Sequence, residues 1–526
     1  MFASLICARP RLIDHLHLVV NHSITLPDQR GRFARVRRVV GRGLLALGLL
    51  YLLLLIPGPQ PPTPKGAGKE SFQWRRDAFW AELEKQFQQM RGQGCEKLAA
   101  PINDSLAEIQ RNLDAVAAAK LPPDAPVYDA LETNFFHLAP MVGACPERLT
   151  EFLQAFARMR SVVKRQSESW PMDSAATRAR LYRSLYGGRA TVEEAMLQVP
   201  REKLPALLAG DNVPSATPSN VVQGVTLRSG DILVSRGGAA ASALIARGND
   251  FTGNFSHVAL VQVDEATHAV SVIESHIECG VVVGPLEKYL ADTKLRIMVL
   301  RLRADLPQLV SDPLLPHKAA TQAMREAQTR HIPYDFAMDY ADPSKQFCSE
   351  VASAAYASLG LKLWMGVSHL STPGVTAWLS AVGVRHFETQ EPSDLEYDPQ
   401  LRVVAEWRDP ETLFKDHVDN AVIDVMLERA EAGEKLSYNR WLLPTARLAK
   451  AYSVVKNWFG GIGPIPEGMS ATTALRVDRL KTNHAALRAR LLERVEKFKT
   501  ERGYVPPYWE LVRLAREAQA QPTSGL

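Results

Sequence analysis

The feature that most constrains the fold is a change of hydrophobic period near residue 221. From there to residue 408 the apolar residues form short β-branched runs separated by turn residues, a pattern typical of strands. The runs are VTLRSGDILVSRG, FSHVALVQVDEATHAVSVIES, CGVVVGPLEKYL and KLRIMVLRL, with a last strand predicted at 401–407. Helices are predicted at 317–330 and from Cys348 onwards. The second helix is expected to end at Gly360, because glycine commonly ends a helix. The segment therefore predicts an α+β unit with an antiparallel sheet.

Helical periodicity occupies both flanks of this unit. Apolar residues between 71 and 205 recur at spacings of three, four or seven, which predicts a small antiparallel bundle. Residues 410–526 are also helical in character and include one long charged helix with an apolar face. The predicted organisation is a basic N-terminus 1–42, an apolar segment 43–57, a linker 58–70, a helical domain 71–205, a central α+β domain 215–408 and a C-terminal helical region 409–526.

The N-terminus carries a membrane signal. Residues 43–56 read GLLALGLLYLLLLI without a charge, after a stretch with six arginines and before a Pro/Gly-rich segment. A run this short resembles the core of a signal peptide, since a full span needs about 20 residues. No A-x-A cleavage site follows directly, so an uncleaved signal anchor is favoured. The arginines should stay in the cytoplasm. This predicts a single-pass protein of the bacterial inner membrane with a periplasmic catalytic domain.

Composition excludes several classes. Hydrophobic residues make up 46% of the 526 residues and charged residues 23%, an ordinary globular balance. The net charge of +5 is too small over this length to indicate nucleic-acid binding. Five widely spaced cysteines do not form a disulfide framework. Cys95 and Cys145 both lie at predicted helix starts and could pair in an oxidising compartment; two buried thiols are the alternative.

Chemically useful side chains concentrate between 224 and 350. Cys348 lies at the predicted start of a helix, where amide groups and the helix dipole favour a thiolate and could hold an oxyanion. His257, on a predicted strand, is the best candidate for the imidazole that a nucleophilic cysteine needs. Glu274 lies on the following strand, so a hairpin would bring it close to His257. Taken singly, each residue has a structural reading as a core cysteine, a hydrogen-bonded histidine or a strand carboxylate.

The order of short motifs adds to this reading. SGDILVSRG, SHVALV, VIES, GVVVGPLEKYL, IPYDF and FCSEVASAAY follow one another, and EPSDLEYDPQLRVVAEW comes later. In this order they resemble the permuted NlpC/P60 papain-like family, in the branch typified by YiiX and YaeF. The resemblance covers about 221–408. It implies a circularly permuted papain-like core of α+β class, in which the histidine precedes the cysteine.

The resemblance also implies roles for residues. Cys348 would be the nucleophile, His257 the general base and acid, and Glu274 the orienting residue, while His276 could replace Glu274 in that role. Asp231 occupies a motif position in the SGDI turn and is expected to fix that turn, with lining of the cleft as the alternative. Tyr334 is expected to point its hydroxyl group into the cleft and support substrate binding. Further expectations concern three neighbours: Glu278 should share a strand face with Glu274 and His276, Asp335 should cap local backbone, and Glu350 should support the first helical turn. A zinc site built from His257, His276, Glu278, Cys279 and Cys348 ranks low, because no short-spaced ligand pair is present; no metal or other cofactor is expected.

Two classes of function remain. The leading prediction is an exported, membrane-anchored thiol hydrolase that cleaves an amide, such as a cell-wall peptide, through a thioester intermediate. Hydrolysis or transfer of a lipid or acyl ester or amide is the alternative on the same triad. The competing class is a non-catalytic envelope scaffold. The expected partners are a peptide or acyl-linked substrate, the membrane through the N-terminal segment and a protein that binds the helical regions, with no nucleic acid.

Overall fold

The computed structural model describes residues 29–58 and 64–520. The first helix, α1, spans Gln29–Leu54. The predicted membrane anchor over 43–57 is not supported, because no helix within the described residues is long and apolar enough to cross a membrane. The uncharged part of α1, residues 43–54, is short: its 12 residues give only about 18 Å of helix, against a hydrocarbon core of about 30 Å. Residues 1–28 of the predicted N-terminal region and 59–63 of the predicted linker lie outside the described residues.

The predicted helical domain forms a bundle. Its helices are α2 Asp77–Met90, α3 Cys95–Ala118, α4 Pro126–Ala144, α5 Leu149–Gln166, α6 Ala175–Leu181 and α7 Gly188–Met196. A π-helical segment, Tyr182–Gly187, makes α6 and α7 continuous. The apolar faces of the helices meet in one core that includes Phe135, Phe152 and Phe156. A disulfide joins Cys95 to Cys145, whose Cα atoms are 4.9 Å apart, so the predicted pairing is confirmed. Cys95 begins α3 as predicted, whereas Cys145 directly follows α4.

An antiparallel sheet forms the centre of the α+β unit. The strands are β1 Leu207–Ala209, β2 Ser219–Val222, β3 Val225–Arg228, β4 Ile232–Gly237, β5 His257–Val263, β6 Val270–His276, β7 Gly280–Pro285, β8 Lys294–Leu302, β9 Ser368–His369, β10 Glu388–Thr389 and β11 Leu401–Arg408. Seven of them make the main sheet in the order β1-β11-β8-β4-β5-β6-β7. The predicted α+β unit with an antiparallel sheet is confirmed.

Helices cover this sheet and extend beyond it. Those within the unit are α8 Ala240–Arg247, α9 Leu286–Ala291, α10 Pro307–Ser311, α11 Leu315–Thr329, α12 Cys348–Ala357 and α13 Pro373–Val382. Those that follow it are α14 Pro410–Glu431, α15 Leu443–Trp458, α16 Ala471–Arg502 and α17 Tyr508–Ala520. Helices α11 and α12 pack on β5 and β6, so the start of α12 lies against the centre of the sheet. The sequence did not predict α8 and α13, which lack a clear period. It also did not predict β1, β2, β9 and β10, which are only two to four residues long.

Buried charges join the helical regions to the sheet. Glu193 of α7 accepts hydrogen bonds from Arg296 of β8 and Arg408 of β11, each at 2.6 Å. Arg296 also donates to Asp416 of α14 at 2.7 Å, and His417 of α14 lies 3.1 Å from Glu193. Burial raises the pKa of Glu193, but the arginines and His417 outweigh it and hold that pKa well below its usual range. The bundle and α14 are therefore tied to the sheet by a shared ionic cluster.

Candidate active site

His257 and Glu274 face each other across two neighbouring strands. Ala259 of β5 pairs with Glu274 of β6, so His257 is two residues from that register on the same side of the sheet. Diagonal neighbours of this kind are within reach of long side chains. His257 Nε2 lies 2.7 Å from Glu274 Oε2. An ionised carboxylate only accepts, so Nε2 carries the proton and Nδ1 keeps its lone pair.

Glu274 contacts a second imidazole. His276 Nε2 lies 3.1 Å from Glu274 Oε1, and the two histidine rings are 5.8 Å apart between centroids. Burial raises the pKa of Glu274, but the two imidazoles outweigh it and hold that pKa far below its usual range. His276 therefore contacts the Glu274 carboxylate as a neighbour. It does not replace Glu274 as the partner of His257. Glu278 does not share that strand face as predicted, because β6 ends at His276 and Glu278 lies in the following turn.

Cys348 is the first residue of α12 and is 5% exposed. Its Sγ lies 3.9 Å from the carbonyl oxygen of Ser256 and is also hydrogen-bonded by the backbone of Val258. These two residues flank His257, so the thiol contacts the start of β5 on both sides of the histidine. The structure therefore brings all three residues predicted as a triad to adjoining positions on β5, β6 and α12.

Local contacts hold the start of α12 in this place. Glu350 accepts a hydrogen bond from the backbone amide of Phe347 at 2.8 Å, which caps the first turn as expected. Ser275, next to Glu274, donates to the carbonyl of Gln346 at 2.6 Å and ties the preceding loop to β6. Gly280 has a φ of +71°, and a Cβ there would lie 2.0 Å from the carbonyl oxygen of Ile332. Glycine thus allows the loop before α12 to approach β7.

Burial favours the neutral forms of both the Cys348 thiol and the His257 imidazole. Burial raises the pKa of Cys348 to about 12, and the Glu391 carboxylate adds to the rise, while the backbone of Val258 opposes it. The lowering expected from the helix start is not found, because loss of hydration outweighs the helix dipole. Burial also lowers the pKa of His257, although Glu274 opposes this change. A neutral imidazole is the form that can accept a proton from a neutral thiol.

This protonation state predicts how Cys348 reacts with iodoacetamide. Only the thiolate is alkylated, and below the thiol pKa its fraction rises about tenfold with each pH unit. We expect the alkylation rate of Cys348 to keep rising between about pH 7 and pH 10, without a plateau. Mass spectrometry of the Cys348 peptide measures this rate, with the same peptide from unfolded protein as the control. A plateau beginning below about pH 8 would instead indicate a thiolate–imidazolium pair.

Asp231, Tyr334 and Asp335 lie in different settings. Asp231 forms a buried two-bond ion pair with Arg301, at 2.7 Å for each bond, and accepts from the Arg228 amide. It therefore fixes the turn between β3 and β4, which is the role predicted for it. Tyr334 lies close enough to Cys348 for the thiolate charge to raise the phenol pKa, after the larger effect of burial. Asp335 caps local backbone by accepting from the amides of residues 337 and 339.

Glu391 is a neighbour of the thiol that the sequence did not indicate. It is 3% exposed, and its Oε2 has no hydrogen-bond partner among the residues that the structure describes. Burial raises its pKa to about 8. Two residues later, Ser393 Oγ accepts a hydrogen bond from the backbone amide of Phe255 at 3.1 Å. This bond holds the loop beside the start of β5. Glu391 begins the motif EPSDLEYDPQLRVVAEW, but the motif does not indicate that this side chain lies near the thiol.

Metal binding has no support in this part of the chain. Across residues 29–58 and 64–520, no group of three or more His, Cys, Asp or Glu side chains is arranged to hold a metal ion.

A cavity of about 750 Å³ lies away from Cys348, between the segment 72–87, α7 and the segment 504–516. It does not include any of the three triad candidates in its lining.

Comparison with known families decides the class of the α+β unit. Residues 226–405, about a third of the chain, match a family model described as permuted papain-like amidase enzyme, YaeF/YiiX, C92 family. This segment matches the permuted papain-like amidases. The predicted resemblance and the predicted class of cysteine hydrolase are thus confirmed for the amidase-like domain. No curated protein matches the chain.

Proposed function

We propose that the protein is an exported thiol hydrolase that cleaves an amide bond with Cys348, His257 and Glu274. The observation that carries the proposal is the 2.7 Å bond between His257 Nε2 and Glu274, next to a thiol that contacts both backbone neighbours of His257. This placement supports the proposal, because covalent acyl transfer needs a nucleophile, a base and an orienting group close to one another. The family match supports amide chemistry.

The proposed reaction begins from the neutral pair. His257 Nδ1 accepts the thiol proton of Cys348 while Sγ attacks the carbonyl carbon of the substrate. The amide groups at the start of α12 offer donors for the oxyanion that forms. When the C–N bond breaks, the imidazolium returns its proton to the leaving amine and an acyl thioester remains on Sγ. Water, deprotonated by the same imidazole, then hydrolyses the thioester and regenerates the thiol.

Export is supported by two features. The Cys95–Cys145 disulfide is the kind of bond that persists in an oxidising compartment. The arginine-rich stretch before residue 43 favours a cytoplasmic N-terminus with the rest of the chain translocated. A peptide of the cell envelope is then the proposed amide substrate.

The test combines substrate profiling with detection of the thioester. The full chain is incubated with a library of peptide amides and acyl esters, beside Cys348→Ala, and rapidly quenched samples are analysed for an acyl adduct on residue 348. We expect turnover and an adduct on the wild type and neither on Cys348→Ala, whose thermal unfolding should be unchanged. Turnover of every cleaved amide at the wild-type rate by Cys348→Ala would overturn the proposal, as would an adduct on another residue.

A further inference from the structure

Helix α15 has an apolar face that nothing in the described chain covers. Its other face is buried, where Leu443 and Ala446 pack with residues of the 459–471 segment. The exposed face repeats at spacings of seven, four, three and four residues, which is one side of a helix. It consists of Trp441 (60% exposed), Leu448 (60%), Tyr452 (58%), Val455 (47%) and Phe459 (86%), and Trp458 (80%) adjoins it. We call these six residues the α15 face.

Within the chain segment that carries the α15 face all charges are of one sign, and Glu467, which follows it, lies close to Lys450. Between Glu434 and Glu467 the chain contains no acidic residue. The same interval contains five basic residues, namely Lys435, Arg440, Arg447, Lys450 and Lys456. Large aromatic residues beside cations, with acidic residues missing, are typical of a helix that lies in the interface of a membrane with anionic lipids.

The exposed side of α1 continues the α15 face. Tyr51 donates to the carbonyl of Trp441 at 3.2 Å, and Arg447 donates to the carbonyls of Leu54 and Ile56 at 2.9 and 2.7 Å. Next to these contacts, the leucines of α1 between residues 44 and 53 are about half or more exposed. The two helices thus form one apolar surface, which is larger than a scatter of single exposed residues.

We propose that the α15 face docks on a lipid bilayer that carries anionic headgroups. The aromatic and aliphatic side chains would enter the boundary between headgroups and acyl chains. The exposed basic side chains, Lys435, Arg440 and Lys456, would contact lipid phosphates. Trp441 and Trp458 suit this depth because an indole ring is apolar but keeps one polar N–H group. The docking requires no helix that spans the membrane.

This surface lies close to the proposed active site. Ile277 and Phe336 pack into the same apolar cluster as Leu443 and Ala446 of α15. Ile277 directly follows His276, and Phe336 lies two residues after Tyr334. The lipid docking itself rests on α15 and not on the proposed chemistry, so either can fail without the other. If both hold, the hydrolase acts within one helix layer of the membrane surface.

A site-specific fluorescent label tests the docking separately from any binding by α1. The environment-sensitive dye NBD is attached in the full chain to Leu448→Cys, in a Cys348→Ala background. Val310→Cys, at an apolar residue that is 68% exposed on α10, is the matched control. The unsubstituted Cys348→Ala protein gives the background labelling. Each protein is mixed with vesicles of phosphatidylcholine, with or without phosphatidylglycerol, and with spin-labelled lipid as quencher.

We expect a blue shift and lipid quenching for NBD at position 448 and neither at position 310. Adding Lys456→Gln should raise the concentration of anionic vesicles needed for half of the shift by about fivefold, since one cation is lost. Trp458→Ser with Phe459→Ser should reduce the shift further. The proposal is overturned if position 448 stays solvated while the protein binds vesicles, or if both positions respond equally. A shift that depends on protein concentration without vesicles would indicate contact between protein copies and would also overturn it.

Discussion

Replacing His257 by asparagine should lower kcat for amide hydrolysis by about a thousandfold, within the usual contribution of a general base. The structure predicts this loss because the thiol of Cys348 is neutral and has to transfer its proton before it attacks. His257 is the imidazole flanked by the backbone groups that contact Sγ. The measurement is the steady-state rate on an amide identified by the library.

His276→Asn is the matched control for this prediction. His276 lies on the same carboxylate as His257, at 3.1 Å from Glu274, and its side chain is equally exposed at 17% against 18%. The change therefore removes an imidazole of comparable exposure from the same carboxylate. We expect a loss of about tenfold or less, because His276 acts only through Glu274. Equal losses in the two variants would contradict the assignment of the base.

Glu193→Ala should destabilise the folded protein by about 3–5 kcal/mol, the usual cost of removing one member of a buried ionic cluster. The side chain is 2% exposed and accepts from Arg296 and Arg408, which the substitution would leave buried without this carboxylate. The effect should appear as a lower urea midpoint for unfolding, followed by circular dichroism. The bundle and the sheet should lose structure together, because this cluster joins them.

Glu194→Ala is the control for position and helix propensity, since it changes the next residue of α7. Glu194 accepts one hydrogen bond, from the amide of Tyr508 at 2.9 Å, and has no arginine or lysine within ion-pair distance in the described residues. Burial raises its pKa to about 7, so its charged form contributes little. We expect a shift of about 1 kcal/mol. A comparable loss from both variants would contradict the role assigned to the ionic cluster.

The role of Asp231 could be predicted from the sequence, whereas the position of Glu391 could not. Asp231 lies in the SGDI turn motif, which can be recognised in the sequence, so its role in that turn could be predicted. Glu391 approaches the thiol only because the loop after β10 folds back against Phe255. The motif EPSDLEYDPQLRVVAEW begins at Glu391, but a motif gives no distance between side chains, so the effect of Glu391 on Cys348 could not be predicted.

The sequence by itself determined the strands of the sheet, the helix that begins at Cys348 and the permuted order of histidine, glutamate and cysteine. Hydrophobic period and turn residues act over a few neighbouring positions, so these features can be read along the chain. Only the tertiary structure decided that Glu274 lies between two imidazoles, that Glu193 joins three regions and that the Cys348 thiol is neutral. Those properties depend on desolvation and on partners far apart in the sequence. Burial of the thiol outweighs the helix dipole because the loss of water acts on the whole charge, whereas the helix start supplies only a partial one.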